Sequence, residues 1–289
     1  MLQHTFCHIP GIGPKKEKEL WGRGLRSWKD VEDGLHRRLR LKNRVLIEDR
    51  IGESIIQLKT DNPQYFSQYL HGGDSWRIFQ EFRSETAYLD IETTGSGNGD
   101  EHITTIALYD GNEVRYYVHG LNLQRFAEDI WDYRVVVTYN GKTFDIPFIN
   151  KQFGIRMDHA HIDLRYVLHS LGYRGGLKGC ERQLGLDRDE LDGVDGYMAV
   201  LLWDDYVHNN NLKALDTLLA YNVLDAANLE ALMVMAHNLK IEDTPFADAH
   251  RLPVPKAPVN PFMSDIGTIR RLMSRHAKYD MWTHNWVMD

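Results

Sequence analysis

The chain of 289 residues has little cysteine: two residues, Cys7 and Cys180, far apart in sequence. Two thiols at that spacing build no disulfide framework, and they fit a reducing compartment. Residues 1–10 lack the basic start and apolar run of a secretory signal. No uninterrupted apolar run reaches the length of a bilayer span. The expectation is a soluble, cytoplasmic protein with no membrane partner. Two phosphate-binding signatures are also missing. The polar loop at residues 96–100 lacks the Gly-Lys-Ser/Thr ending of a phosphate loop. A strand follows it, where a dinucleotide fingerprint needs a helix. Positive charge is not in excess either: the net charge is −7, which at first argues against a polyanionic partner.

The distribution of charge changes that reading. Residues 1–60 carry 13 Lys+Arg against 8 Asp+Glu, a net of +5, and the remainder carries 21 against 33, a net of −12. A basic head joined to an acidic body suits a polyanion-binding module beside a carboxylate-rich site, although a solvated acidic surface gives the same numbers. An apolar content of 43% in a chain of this length can bury a substantial core. We expect a small helical, basic module over residues 1–75, a main domain over 84–242, and a Pro-rich tail with a short helix over 243–289.

Within the head, Gly11-Ile12-Gly13-Pro14 precedes Lys15 and Lys16. The glycines permit a tight turn, Pro14 suits a first helical turn, and the free N–H groups of a helix start can hold a phosphate. An ordinary helix start explains the same residues. Ser27 is placed to cap a helix over 28–35. Residues 36–44 form a basic, helix-compatible run, and 46–58 and 64–70 continue in helical rhythm.

The main domain is organised around Tyr88-Leu89-Asp90-Ile91-Glu92-Thr93-Thr94-Gly95. In a strand, Asp90 and Glu92 share one face and Ile91 takes the other. Two adjacent carboxylates repel unless a cation lies between them, which suggests a metal site; a solvated strand face is the bland alternative. Residues 102–109 and 113–118 read as strands joined by Asp110-Gly111-Asn112. Residues 122–133 form an amphipathic helix and Val135–Thr138 a buried strand. A helix over 145–153, a strand over 162–164, a helix over 165–171 and a glycine-rich loop over 172–179 follow. The run 212–239 is one long helix. Residues 244–262 hold five prolines and should be extended, with a last helix over 265–277. Three antiparallel strands followed by alternating strands and helices predict an α/β fold with a mixed sheet flanked by helices.

Three motifs now assemble. Asn140 and Asp145 follow a buried strand, at the end of the sheet where open α/β folds build their sites. Tyr221 and Asp225, four apart, share one face of an apolar helix, where polar groups need a partner or a job. Asp90-x-Glu92, Asn140-x4-Asp145 and Tyr221-x3-Asp225 together resemble the DEDDy 3′–5′ exonucleases of the ribonuclease H-like superfamily. The wording over residues 87–239 is similar to the proofreading domains of family B DNA polymerases and to stand-alone bacterial predicted exonucleases. The GIG turn resembles the hairpin of helix-hairpin-helix DNA-binding modules. The resemblance implies a ribonuclease H-like fold and hydrolysis of phosphodiester bonds at single-stranded DNA or RNA 3′ ends. It implies two ions, Mg²⁺ or Mn²⁺, held by Asp90, Glu92, Asp145 and Asp225, with Tyr221 orienting the attacking water. Gly11, Gly13, Lys15, Lys16, Thr93 and Asn140 are the expected nucleic-acid contacts, with a turn role for Asn140 equally open. Asp163 reads as a strand-end cap or a support for the site, Phe144 as core, and Arg174 and Lys178 as solvated cations, with phosphate contact as the alternative. The pair His159-x-His161 lacks the further ligands a metal would need. A non-catalytic nucleic-acid adaptor on a nuclease fold and an endonuclease of the same fold are the alternatives.

Overall fold

A computed structural model describes residues 1–39, 41, 43–95, 101–186, 188, 191 and 194–274. The expected loop at 96–100, part of the basic run at 36–44 and the end of the expected last helix lie outside these residues. The head contains α1 (Pro14–Gly22), α2 (Trp28–Glu32), α3 (Leu35–Arg38), α4 (Arg44–Lys59) and α5 (Pro63–Ser67). Ser27 caps α2 in a reciprocal capping box with Asp30. The single helix expected over 28–35 is broken, because Gly34 sits at φ 79° between α2 and α3.

The body is a five-stranded sheet in the order β3-β2-β1-β4-β5. The strands are β1 (Thr86–Thr93), β2 (Ile103–Tyr109), β3 (Val114–Val118), β4 (Val135–Thr138) and β5 (Ala160–Asp163). β1 pairs antiparallel with β2 and parallel with β4, and β4 pairs parallel with β5. This is the mixed sheet read from the sequence. The three parallel strands end along one edge, at Thr93, Thr138 and Asp163. The segment 122–133 is not one helix: a short α6 (Phe126–Asp129) lies between two 3-10 turns. Phe126 and Ile130 still reach the core, since both turn types return side chains to one side every three or four residues.

The helices α7 (Asp145–Phe153), α8 (Leu164–Ser170), α9 (Gly176–Leu184), α10 (Gly196–Asn209), α11 (Leu212–Glu242) and α12 (Ala247–His250) complete the body. α9 begins inside the stretch expected to be a glycine loop. Gly179 is there for space: a Cβ on it would lie 2.9 Å from the carbonyl oxygen of Arg174. α12 interrupts the extended tail, and residues 266–274 are helical.

α11 is long and apolar enough to cross a membrane by length and composition, contrary to the expectation from sequence. However, 89% of its apolar window is buried inside the protein. It is the core helix, packed on β1 and β2. Residues on β1 alternate between two cores. Tyr88 joins the cluster of Leu229, Leu232 and Met233 on the α11 side. Ala87, Leu89 and Ile91 join Phe126, Val136 and Ile149 on the other side. Asp90 and Glu92 are in phase with Tyr88, so α11 covers their face of the sheet and the solvated-face alternative fails.

The head shares the first of these cores. Leu2, Phe6, Trp21, Trp28 and Phe66 belong to the same cluster as Tyr88, Val135 and Leu232. Glu17, fully buried, accepts from Thr5 Oγ1 at 2.6 Å, from the Phe6 N–H at 2.7 Å and from Arg77 Nη2 at 2.6 Å. An ion pair with several donors on one carboxylate repays its desolvation, and it ties the start of the chain to the segment that leads into β1.

Candidate active site

The carboxyl end of β1 delivers the first two acids. The β1–β2 register shifts between Glu92 and Thr93, so regular pairing breaks at this point. Such irregularities re-aim side chains beside sites. α11 delivers Asp225 from the facing layer. Ligand oxygens of Asp90, Glu92 and Asp225 lie within 4.8 Å of one another. Asp145, at the first turn of α7, lines the same cavity, as does Tyr221, one helical turn before Asp225. The cavity has a volume of about 820 Å³. Asp145, Asp225 and Tyr221 are each only 4% exposed.

This crowding has an electrostatic cost. Burial pushes the carboxyls of Asp90 and Glu92 well above the ordinary range, and the neighbouring carboxylates push further in the same direction. Burial raises Asp145 to about 7, opposed by backbone N–H donors that include Ile91. Asp225 is also raised by burial, with Arg188 opposing. Burial lifts the Tyr221 phenol far above its usual value, so it stays a neutral hydroxyl. An all-carboxylate donor set whose charges are mutually unfavourable fits a hard divalent cation.

Side chains outside the acidic motifs hold the acids in place. Asn222, fully buried, donates from Nδ2 to Asp90 Oδ2 at 2.7 Å. Arg188 donates from Nη2 to Asp225 Oδ1 and from Nη1 to Glu181 Oε2. Lys178 is not a solvated cation: its Nζ is buried 4.9 Å over the Tyr221 ring, and Arg188 is 5.4 Å from that ring. Sequence reading passed over Asn222 and Arg188. The adjacency of Asn222 to Tyr221 on an apolar helix was the available signal for the first; no local pattern marked the second.

The Asn140 turn closes one side. Asp163 accepts from the Asn140 N–H at 2.7 Å and the Lys142 N–H at 3.1 Å, and also caps α8 by accepting from the Arg165 N–H at 3.0 Å. It serves both roles considered for it. Asn140 adopts φ 67°. Gly141 must be glycine, since a Cβ would lie 2.3 Å from Thr138 Oγ1. Phe144 is not core: it is 39% exposed on the cavity wall. Thr93 and Asn140 line the cavity. So do Arg165, His169, Tyr173 and Arg174, and the two arginines set positive charge on the wall across from the acids. Gly11, Gly13, Lys15 and Lys16 are exposed on the head and are not among the cavity's lining residues. The His159 and His161 rings have partners elsewhere, at the Ile130 carbonyl and Thr138 Oγ1.

The fold and the acidic centre define a class. A sequence profile described as RNase_H superfamily matches residues 87–237, over half of the chain. The chain belongs to the RNase H superfamily. It is similar to the uncharacterized protein YprB of Bacillus subtilis (strain 168), with 27% identity over 177 residues. That match covers 51% of this chain and 40% of YprB, so the chain spans less than half of that relative's length. Among solved structures, it is similar to the family B DNA polymerase from the hyperthermophilic archaeon Pyrobaculum calidifontis. There the TM-score is 0.39 and the identity 17%, over 58% of this chain and 27% of the polymerase.

Proposed function

We propose that the protein is a metal-dependent 3′–5′ exonuclease that hydrolyses phosphodiester bonds at single-stranded DNA or RNA ends. The observation that carries this reading is the convergence of Asp90, Glu92 and Asp225 within 4.8 Å, on a cavity also lined by Asp145 and Tyr221. Two divalent cations bound there would activate a water and stabilise the charge that develops on the phosphate. Asp90, Glu92 and Asp225 would hold one ion, with Asp90 shared, and Asp145 would serve the second. The neutral Tyr221 hydroxyl orients the attacking water and takes no proton from it. Arg165 and Arg174 on the cavity wall oppose phosphate charge, while Phe144 and Tyr173 offer faces for bases. Membership of the superfamily supports a nuclease; direction, strand preference and metal belong to the proposal.

The test uses 3′-labelled and 5′-labelled DNA and RNA single strands with Mg²⁺, Mn²⁺ or EDTA. We expect stepwise shortening from the 3′ end with either ion, none in EDTA, and none with Asp90→Asn. Internal cuts first would point to an endonuclease of the same fold. Binding without cleavage under every condition would favour a non-catalytic adaptor.

A further inference from the structure

Asp225 stands in a closed ring of buried polar contacts. Its Oδ1 accepts from Arg188 Nη2, and Arg188 Nη1 donates to Glu181 Oε2 on α9. The other oxygen of Glu181, Oε1, accepts from Asn228 Nδ2 at 2.8 Å. Asn228 lies three residues beyond Asp225 on the same face of α11, which closes the ring. The side chains are 4% exposed at Arg188, 0% at Glu181 and 6% at Asp225. Only a planar guanidinium reaches two carboxylates through separate, directed donors; a lysine ammonium is a point charge on a flexible stem.

We infer that Arg188 is a positioning residue for the metal centre, with Glu181 as its anchor. This rests on the nuclease reading above. Arg188 occupies Oδ1 of Asp225, which leaves Oδ2 as the oxygen to offer a cation held with Asp90 and Glu92. The ring fixes the rotation of the carboxylate about its last bond, a degree of freedom that the helix backbone leaves open. The arrangement has a second consequence. A permanent positive charge beside the seat repels a divalent ion, so Arg188 trades cation affinity for geometry. Glu181 offsets that repulsion only in part, because it lies on the far side of the guanidinium.

These two effects pull in opposite directions, and that separates positioning from simple structural support. Arg188→Met alone strands two buried carboxylates without a counter-charge and is liable to unfold the protein. The informative variant is therefore Arg188→Met combined with Glu181→Gln. It removes both charges and keeps an oxygen for Asn228. The readouts are Mn²⁺ affinity of the 289-residue apo protein, by electron paramagnetic resonance of free Mn²⁺, and single-strand cleavage with kcat and KM resolved. We expect the double variant to bind Mn²⁺ at least ~3-fold more tightly. Its kcat should fall ~10-fold or more with KM little changed. Arg188→Lys, which keeps the charge and loses the fork, should keep near wild-type Mn²⁺ affinity with a reduced kcat. Unchanged affinity and unchanged kcat in the double variant would overturn the assignment. So would weaker Mn²⁺ binding in step with a lower melting temperature. A wild type that binds Mn²⁺ and cuts no strand would sink the nuclease reading alone, with the affinity shift still supporting Arg188. A wild type that binds no Mn²⁺ would sink both.

Discussion

Replacing Asp145 with Asn probes the electrostatic cost of the site directly. The Asp145 carboxyl is 4% exposed, and burial raises it from 3.8 to about 7. In the folded protein it holds its proton more tightly than in the unfolded chain. Its stabilising contribution is therefore complete below about pH 4 and is lost as pH rises to about 7. At pH 8 the carboxylate is ionised in both states. A difference of about three pKa units then costs ~4 kcal/mol, at 1.36 kcal/mol per unit. Water entering an open cavity reduces that figure, so the expected gain from Asp145→Asn at pH 8 is ~2 kcal/mol or more. Asn keeps an oxygen for the backbone N–H donors and carries no charge. For a chain of this size ~2 kcal/mol corresponds to roughly 4–8 °C in Tm. The assay is urea unfolding with EDTA at pH 8 and pH 4.5, since a bound cation would itself favour the ionised form. Wild type and variant should differ most at pH 8, and the difference should shrink to about 1 kcal/mol at pH 4.5, where the unfolded carboxyl is already largely ionised. Equal stability at pH 8, or a difference independent of pH, would refute the account of a buried, proton-hungry carboxyl.

Four further outcomes are expected. Tyr221→Phe removes one hydroxyl from a ring packed against Lys178 and Arg188; kcat should fall ~100-fold or more with KM little moved, read in single-turnover cleavage. Arg165→Gln with Arg174→Gln should weaken binding of single strands and flatten the salt dependence of log Kd by roughly 1.4, at ~0.7 per lost phosphate contact. An unchanged slope in fluorescence anisotropy would place the strand elsewhere. A chain beginning at residue 84 should lose cooperative unfolding by circular dichroism, because it exposes the cluster that joins Leu2, Phe6 and Trp28 to Tyr88 and Leu232. The binding role of the head is better read from Lys15→Glu with Lys16→Glu, both exposed, which should leave Tm unchanged and weaken strand affinity.

The local pattern of residues was enough to find the strands of the sheet, the long helix and the four acids. Alternation around Ile91 assigned Asp90 and Glu92 to one face, and the four-residue spacing put Tyr221 and Asp225 on another. These are properties of neighbours in the chain, set by the pitch of a strand or a helix. Helix ends were less legible where a backbone angle or a close approach decided them. Gly34 broke an expected helix, and Gly179 entered one because the Arg174 carbonyl leaves no room for a Cβ. The tertiary structure alone decided the rest. It set α11 over the face of β1 that holds the acids, merged the head into the core on that same α11 side of the sheet, and turned Phe144 outward. It brought Arg188 and Glu181 to Asp225 across 37 and 44 residues of chain, and Asn222 to Asp90 across 132. No periodicity links such partners. Their pairing is enforced by the cost of burying a charge alone, which is felt only after the layers have packed.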